Sequence, residues 1–512
     1  MPKVNINGTE IEVDQGTTIL RAAAEAGFDV PHFCYHPSLS RPANCRMCLV
    51  EVEGWPKLQP GCYTAVSDGM VVKTESDRVV KARKAVLEFI LLNHPVDCPI
   101  CDQAGECKLQ DYYVDYDAQE SRQRTEKQNK VKAYPIGPEV VYDGERCILC
   151  TRCIRFCEEI TQTEELTIVE RGDRAEIRAF PGRELDNDYS MCVVDLCPVG
   201  ALTSRDFRFK CRVWLLTSTD SVCTGCATGC SIHLDHFRNE IQRYRPRYNP
   251  GVNDYWMCDK GRLSYKEVHT GRMVELAVNG AYVNWHSGME AASSKLEKAI
   301  EEGGVGMLIT PQSTCEDLHL AKKFGTEVAG ASFFVGGKPD GNQDDFLIHR
   351  DKNPNRAGLE KVFKGTTVER FESLVDKIES GAITSLIMVG PWIPASGEAQ
   401  ARFAQALEKL SLFLYISSHA GEFAQKANVA LPAATHAEKD GTFVNVKGVE
   451  QAIHQAFAPH GDALPEWQIF MRLAKALKKP FGYTFLSDIQ KEMFVVEEAP
   501  APAEEPVQPS AE

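Results

Sequence analysis

Cys147-Ile-Leu-Cys150-Thr-Arg-Cys153-Ile-Arg-Phe-Cys157, answered downstream by Cys197-Pro198, is the stretch on which the reading of this chain turns. Three thiols at C-x2-C-x2-C spacing with a distant fourth make a set of soft thiolates, the natural donors of iron-sulfur clusters. Working outward, the same logic sorts fifteen of the nineteen cysteines, together with His94, into four sets of four. The first is Cys34, Cys45, Cys48 and Cys62; the second His94, Cys98, Cys101 and Cys107; the third Cys147, Cys150, Cys153 and Cys197; the fourth Cys223, Cys226, Cys230 and Cys258. Cys157, Cys192, Cys211 and Cys315 are left over. Such pairs, in a chain without a recognisable export signal at its N-terminus, point to metal ligation in a reducing compartment rather than to disulfides.

Spacing assigns a cluster type to each set. The first, C-x10-C-x2-C-x13-C, matches a 2Fe-2S ferredoxin loop on a β-grasp domain and departs from the plant-type C-x4-C-x2-C run; a four-cysteine zinc site is its alternative. The second, H-x3-C-x2-C-x5-C, has only three thiolates. A lone histidine is more often structural, but without His94 one iron of a cluster would be stranded, so His94 is assigned as the fourth ligand. Neutral imidazole in place of thiolate removes negative charge and raises the reduction potential. Pro95 biases His94 to extended backbone, away from the preceding helix.

The third set follows the bacterial 4Fe-4S ferredoxin run, with Cys197 completing Cys147, Cys150 and Cys153. Cys157 lacks a second run to serve and reads as a buried structural thiol, as does Cys192. The fourth set, C-x2-C-x3-C-x27-C, is a further candidate iron-sulfur set, with a zinc ribbon as its alternative. Gly61, Gly105, Gly225 and Gly229 stand beside ligands, where glycine permits close backbone approach to a cluster.

Around these sets the chain is multidomain, α+β in its first part and α/β in its last. Lys3–Ile6 and Glu10–Val13 alternate as strands about the Asn7-Gly8 hairpin turn. Ile19, Leu20, Ala23 and Ala24 mark a short helix that Gly27 closes, and Cys48–Val52 reads as a strand. Arg78 to Asn93 has helical apolar spacing, whereas Tyr112 to Lys132 is polar, and Glu120 to Lys132 reads as a solvated surface. After Cys258, apolar runs such as Gly306–Thr310 and Ser385–Gly390 alternate with helical stretches such as Glu398–Lys409, the pattern of an open α/β sheet. From Glu497 the sequence collapses to Glu, Ala and Pro and reads as a disordered acidic tail.

The 57 Lys and Arg against 72 Asp and Glu give a net charge of −15, which argues against nucleic-acid binding. No apolar run approaches the roughly 20 residues that cross a bilayer. There is no G-x-G-x-x-G after a strand and no P-loop lysine, so nucleotide chemistry is expected of a partner.

Pro31-His-Phe-Cys-Tyr-His36, Asn44-Cys-Arg-Met-Cys48, His94-Pro-Val-Asp-Cys-Pro-Ile-Cys101, Cys147-Ile-Leu-Cys-Thr-Arg-Cys153 and Asp195-Leu-Cys-Pro-Val-Gly-Ala201 together resemble the G-subunit, or 75 kDa subunit, family of respiratory NADH:quinone oxidoreductase (complex I). Residues 259 to 480, through Val429–Ala434 and Glu438–Asn445, are similar to a shortened molybdopterin oxidoreductase. The resemblance implies one 2Fe-2S and three 4Fe-4S clusters, the fourth set lying off the main electron path. It implies an enzyme subunit without a catalytic residue or substrate site of its own, relaying electrons from a flavoprotein NADH-binding subunit toward quinone. Other peripheral-arm subunits of complex I would be its partners, on the cytoplasmic side and peripheral to the inner membrane. Cys315 matches no metal-binding loop and about 220 residues are few for a pterin pocket, so no molybdopterin is expected.

The divisions expected are residues 1–80 (2Fe-2S ferredoxin-type), 81–130 (a 4Fe-4S module with one histidine and three cysteine ligands), 131–215 (4Fe-4S ferredoxin-like), 216–272 (molybdopterin-oxidoreductase-type 4Fe-4S), 273–482 (degenerate molybdopterin-oxidoreductase-like α/β) and 483–512 (tail). The alternatives are the diaphorase or electron-transfer subunit of an NAD-linked hydrogenase or formate dehydrogenase, an active molybdenum formate dehydrogenase, and a zinc-stabilised interaction protein.

Overall fold

A computed structural model describes residues 1–117 and 120–493, so the acidic stretch Glu497–Glu512 lies outside the described residues. The chain divides into two compact units: residues 1–218 with 232–265, and residues 219–231 with 266 onward.

The first unit opens with β1 (Lys3–Ile6) and β2 (Thr9–Glu12), turned by Asn7 and Gly8, both at positive φ as a two-residue hairpin requires. α1 (Ile19–Glu25) buries Ile19, Leu20, Ala22 and Ala23. β3 (Leu49–Val52), β4 (Gln59–Pro60) and β5 (Met70–Lys73) complete a five-stranded sheet in the order β2-β1-β5-β3-β4, with β1 and β5 parallel. Val4, Ile6, Val50, Val52 and Val72 pack with α1 in one small core.

α2 (Asp77–Leu91) is capped by the Ser76 hydroxyl, which accepts from the Val79 amide at 3.4 Å. Past α3 (Lys108–Tyr112) come β6 (Tyr134–Pro135), β7 (Val140–Tyr142), α4 (Arg152–Glu159), β8 (Leu166–Val169), β9 (Glu176–Ala179), α5 (Cys192–Leu196) and β10 (Leu202–Ser204). The elements are short here, and the cysteine loops occupy the space that a larger apolar core would fill. β11 (Thr217–Val222) carries the chain into the second unit; the hairpin of β12 (Ser231–Phe237) and β13 (Glu240–Pro246), followed by α6 (Asp259–Leu263), belongs to the first.

The second unit is an eight-stranded sheet in the order β15-β14-β21-β20-β19-β16-β17-β18, parallel from β21 to β18. Its strands are β14 (Leu276–Val278), β15 (Ala281–Val283), β16 (Val305–Ile309), β17 (Ser332–Val335), β18 (Val368–Arg370), β19 (Ser385–Val389), β20 (Leu412–Ser417) and β21 (Val429–Pro432). The central strands are buried along their whole length, as a sheet covered on both faces requires. Met307, Ile387 and Leu414 face α7 (Trp285–Glu302), α8 (Cys315–Lys323) and α13 (Glu466–Ala476). Their neighbours Leu308, Met388 and Phe413 face α10 (Phe371–Glu379) and α11 (Glu398–Ala406).

The remaining elements are α9 (Arg356–Val362), α12 (Gly421–Lys426) and the hairpin of β22 (Gly441–Val444) and β23 (Glu450–Ile453). Regular structure continues past the expected boundary at residue 482, because Ile489 of α14 (Leu486–Met493) is fully buried in the core.

Candidate iron-sulfur sites

In the first set, Cys34 leaves the loop after α1, Cys45 and Cys48 flank Arg46, and Cys62 follows β4. Arg46 and Ala43 adopt left-handed backbone, which turns the Asn44 and Cys45 amides toward the Cys34 sulfur. Cys34, Cys48 and Cys62 are at most 1% exposed. Cys34 lies within hydrogen-bond reach of both Cys45 and Cys62, and Cys62 also reaches Cys48. That contact splits the set: hydrogen bonds from neighbouring thiols pull Cys34 and Cys48 down, while Cys45 and Cys62 are pushed up. Four converging sulfurs that share protons are a fitting cradle for a small cluster. Gly61 belongs to it, since a Cβ there would meet the Cys48 carbonyl at 3.2 Å.

The second set lies on the turn after α2. Cys98, Cys101 and Cys107 act on one another electrostatically, and burial pushes Cys107 up to about 11. His94 is held differently. Its main charged neighbours are Asp97, Lys127, Arg146 and Lys132, and burial brings it down to about 4, so the ring is neutral. The Val96 amide donates to His94 Nδ1 at 3.1 Å, an arrangement that places the ring proton on Nε2. Ligation through Nε2 therefore calls for the opposite tautomer, and ligation through Nδ1 displaces that bond.

The segment expected as mere solvated surface holds this turn in place. Lys127 donates to the Leu91 carbonyl at 2.8 Å and also to the His94 carbonyl, the Gln128 amide donates to Asn93 at 3.1 Å, and Lys132 pairs with Asp97 and Glu145. Arg146 grips Asp97 through two bonds of 2.9 and 2.6 Å.

The third set surrounds a single cavity. Cys147, Cys150, Cys153 and Cys197 line this small cavity, with Tyr142, Arg152 and Ile177 among its walls. Leu149 and Thr151 alternate with the ligands in left-handed conformation, and the Leu149 amide donates to Cys147 Sγ at 3.4 Å. The Tyr142 hydroxyl also reaches Cys147. Burial pushes Cys150 up to about 11 and Cys197 to about 12, so these thiols need a metal to become thiolates. Cys157, one turn beyond Cys153, is fully buried against Thr163 and Glu165. Cys192 donates to the Met257 carbonyl at 3.2 Å.

The fourth set is divided in sequence between the units. Cys223, Cys226 and Cys230 belong to the second, where the Cys223 amide donates to the Cys230 carbonyl at 2.9 Å. Asn445 and Gln451, in and beside the β22–β23 hairpin, donate to the Thr228 and Gly229 carbonyls at 3.1 and 2.7 Å. Cys258 belongs to the first unit and caps α6, its sulfur accepting from the Gly261 amide at 3.3 Å. Among the described residues, no three His, Cys, Asp or Glu side chains form a group that could hold a single metal ion.

Residues outside the ligand sets tie the first three sites together. Arg155 of α4 donates to the Cys34 carbonyl at 2.6 Å and the Cys150 carbonyl at 3.5 Å, and Asn44 donates to the Leu149 carbonyl at 3.3 Å. On the other side, a Cβ at Gly200 would overlap the Cys101 sulfur, and Arg146 adjoins it. The third set thus adjoins both the first and the second, although it follows both in sequence.

Family models match the chain in five segments: a 2Fe-2S iron-sulfur cluster binding domain (residues 3–77), an NADH-ubiquinone oxidoreductase-G iron-sulfur binding region (83–122), an NADH-quinone oxidoreductase subunit 3 ferredoxin-like domain (137–203), a molybdopterin oxidoreductase Fe4S4 domain (216–270) and a molybdopterin oxidoreductase (348–476). The NADH-quinone oxidoreductase G-subunit of Rickettsia felis is 30% identical across 96% of this chain and 90% of its own length. The chain belongs to the NADH-quinone oxidoreductase G-subunit family.

Other relatives in the family align over less of their length. The G-subunit of Rickettsia conorii is 37% identical over 71% of this chain and 54% of its own, and the NADH-ubiquinone oxidoreductase 75 kDa subunit of Reclinomonas americana is 41% identical over 64% and 48%. The chain therefore spans about half the length of these two relatives. A chain of an NAD+-reducing [NiFe]-hydrogenase is 26% identical over 41% of this chain and 91% of that one, with a TM-score of 0.37. Among the described residues no helix is long and apolar enough to cross a membrane.

Gly200 and Arg146 were not singled out as functional in the sequence. The Cys197-Pro-Val-Gly-Ala201 motif contains the first of them, but its partner sulfur is 99 positions away.

Proposed function

We propose that this member of the G-subunit family relays electrons from a flavoprotein NADH-binding subunit toward quinone, through a 2Fe-2S centre at the first set and 4Fe-4S centres at the second and third. The single observation that carries the reading is the cavity lined by Cys147, Cys150, Cys153 and Cys197, linked through Arg155 to the first set and through Gly200 to the second. A bound cluster supplies a one-electron store. The chain's residues bury the sulfurs, direct backbone amides toward them and hold neighbouring sites in register. Their arrangement supports a path from the first set to the third and then to the second.

The fourth set is proposed to hold a further 4Fe-4S centre off that path. The α/β domain is proposed as a scaffold. Cys315 supports this, being 1% exposed, bonded to Asn355 and pushed up to about 12 by burial. Partners are proposed to be peripheral-arm subunits of complex I.

The test is composition and spectroscopy of the native chain. The ligand sets correspond to about 14 iron atoms with matching acid-labile sulfide; zinc without sulfide would overturn the reading. His94→Ala should alter one EPR signal selectively, and an unchanged spectrum would remove His94 from the ligand set. Co-purification with quinone-reducing membrane subunits, rather than a hydrogenase, separates the two electron-transfer readings.

A further inference from the structure

Arg152, the first residue of α4, lines the third cavity and is placed unusually for a charged side chain. One terminal nitrogen donates to the Leu196 carbonyl at 3.2 Å, beside Cys197, and the other donates to the Tyr35 carbonyl, beside Cys34. Its Nε–H is buried and has no acceptor. Among the described residues no carboxylate pairs with Arg152 or with its neighbour Arg155, whose hydrogen bonds go to Cys34, Ser40 and Cys150 carbonyls and to the Thr151 hydroxyl. By contrast Arg146 and Arg262, which are buried in the same unit, each have an aspartate.

Arg152 is part-buried with its Nε enclosed, and a cation so placed without a counter-ion is costly and is tolerated where an anion completes the site. Arg152 shares the walls of the third cavity with Cys150 and Cys197, and its bond to the Tyr35 carbonyl brings it beside Cys34 of the first set. A cluster held by four thiolates is an anion, and it gains one more negative charge on reduction. A fixed cation beside it stabilises the reduced form more than the oxidised one, and an N–H directed at a cluster sulfur acts in the same sense.

We propose that Arg152 is a positioning residue shared by the first and third cluster sites, donating its Nε–H to a sulfur of the third cluster and raising the reduction potentials of both centres. Its Nε–H would complete the hydrogen bonding of the third cluster, while its terminal nitrogens hold one loop of each site, at Leu196 and at Tyr35. The inference rests on clusters filling these sets. The two claims separate cleanly, because iron and sulfide content of the wild-type chain report the clusters and potentials report Arg152.

The experiment is an EPR-monitored redox titration of the intact holo complex carrying Arg152→Met or Arg152→Lys. With iron content unchanged, Arg152→Met should shift the reduction equilibrium of the third centre at least tenfold toward the oxidised form, about 59 mV for one electron. The first centre should move the same way, and the second should move less. Arg152→Lys, which keeps the charge and loses the Nε–H, should fall between Met and wild type. Unchanged potentials in Arg152→Met, or an equal shift in Met and Lys, would overturn the proposal. Should Arg152→Met fail to retain its clusters, pulsed EPR of wild-type protein grown with 15N-arginine decides: nitrogen coupling at the reduced third centre, lost in Arg152→Lys, supports the assignment, and its absence removes it.

Discussion

At Gly200 a single hydrogen atom separates two functional loops. Any side chain there drives into the Cys101 sulfur and toward Gln103. Gly200→Ala should therefore cost the second site its cluster, about 4 iron atoms per chain, while the EPR signals of the other sites persist; full iron content would refute the close approach. A second residue-scale prediction concerns Glu466. It shares Lys439 with Asp317 in a buried group holding two carboxylates and one ammonium. Burial first, and then the Asp317 charge, raise Glu466 from an ordinary 4.5 to about 7. Between those values the folded state keeps a proton that the unfolded state releases. This stability is thus fully present below about pH 4.5 and is lost as pH rises through 7, with a slope of up to about 1.4 kcal/mol per pH unit. Glu466→Gln should lack that slope in denaturant titrations of the second unit from pH 5 to 8, and parallel curves for the two proteins would contradict it.

Among the elements, β20 shows how strongly the central sheet depends on packing from both sides. Leu414 is fully buried among α7- and α13-facing residues, and Phe413 beside it is buried in the opposite layer. Leu414→Ala should destabilise the second unit by about 2–5 kcal/mol, measured as a lower denaturation midpoint with an unchanged slope. Strands and helices of this kind were legible in the sequence, because an apolar run such as Ser385–Val389 or a turn such as Asn7-Gly8 carries its own local physics. The cysteine sets were drawn from spacing, which groups the close members of each on one stretch and adds Cys62, Cys197 and Cys258 from a distance. What spacing did not encode is which loops adjoin. That depends on single hydrogen bonds such as Arg155 to Cys34, across 121 positions. It also depends on the lysines of the 120–132 segment, whose polar composition reads as solvated surface until the carbonyls of Leu91 and His94 are found beneath Lys127.

The whole molecule sets two kinds of stability side by side. The second unit has large apolar layers on both faces of its sheet, whereas in the first unit residues 94–215 are organised around thiols and short elements. Iron removal by chelation should therefore abolish hydrogen-exchange protection through residues 94–215 and leave the β16, β19 and β20 amides protected. Equal loss in both units would show that the sheet also depends on the clusters.

The loop bearing Cys223, Cys226 and Cys230 hangs from Asn445 and Gln451, and Gln451 follows Gly229 by 222 positions. For a chain made from its N-terminus onward, the ligands of the fourth set are all synthesised by Cys258, long before the hairpin that clamps their loop exists. The loop of the fourth set is thus clamped by residues made late, whereas every cysteine assigned to the first three sets precedes Cys223.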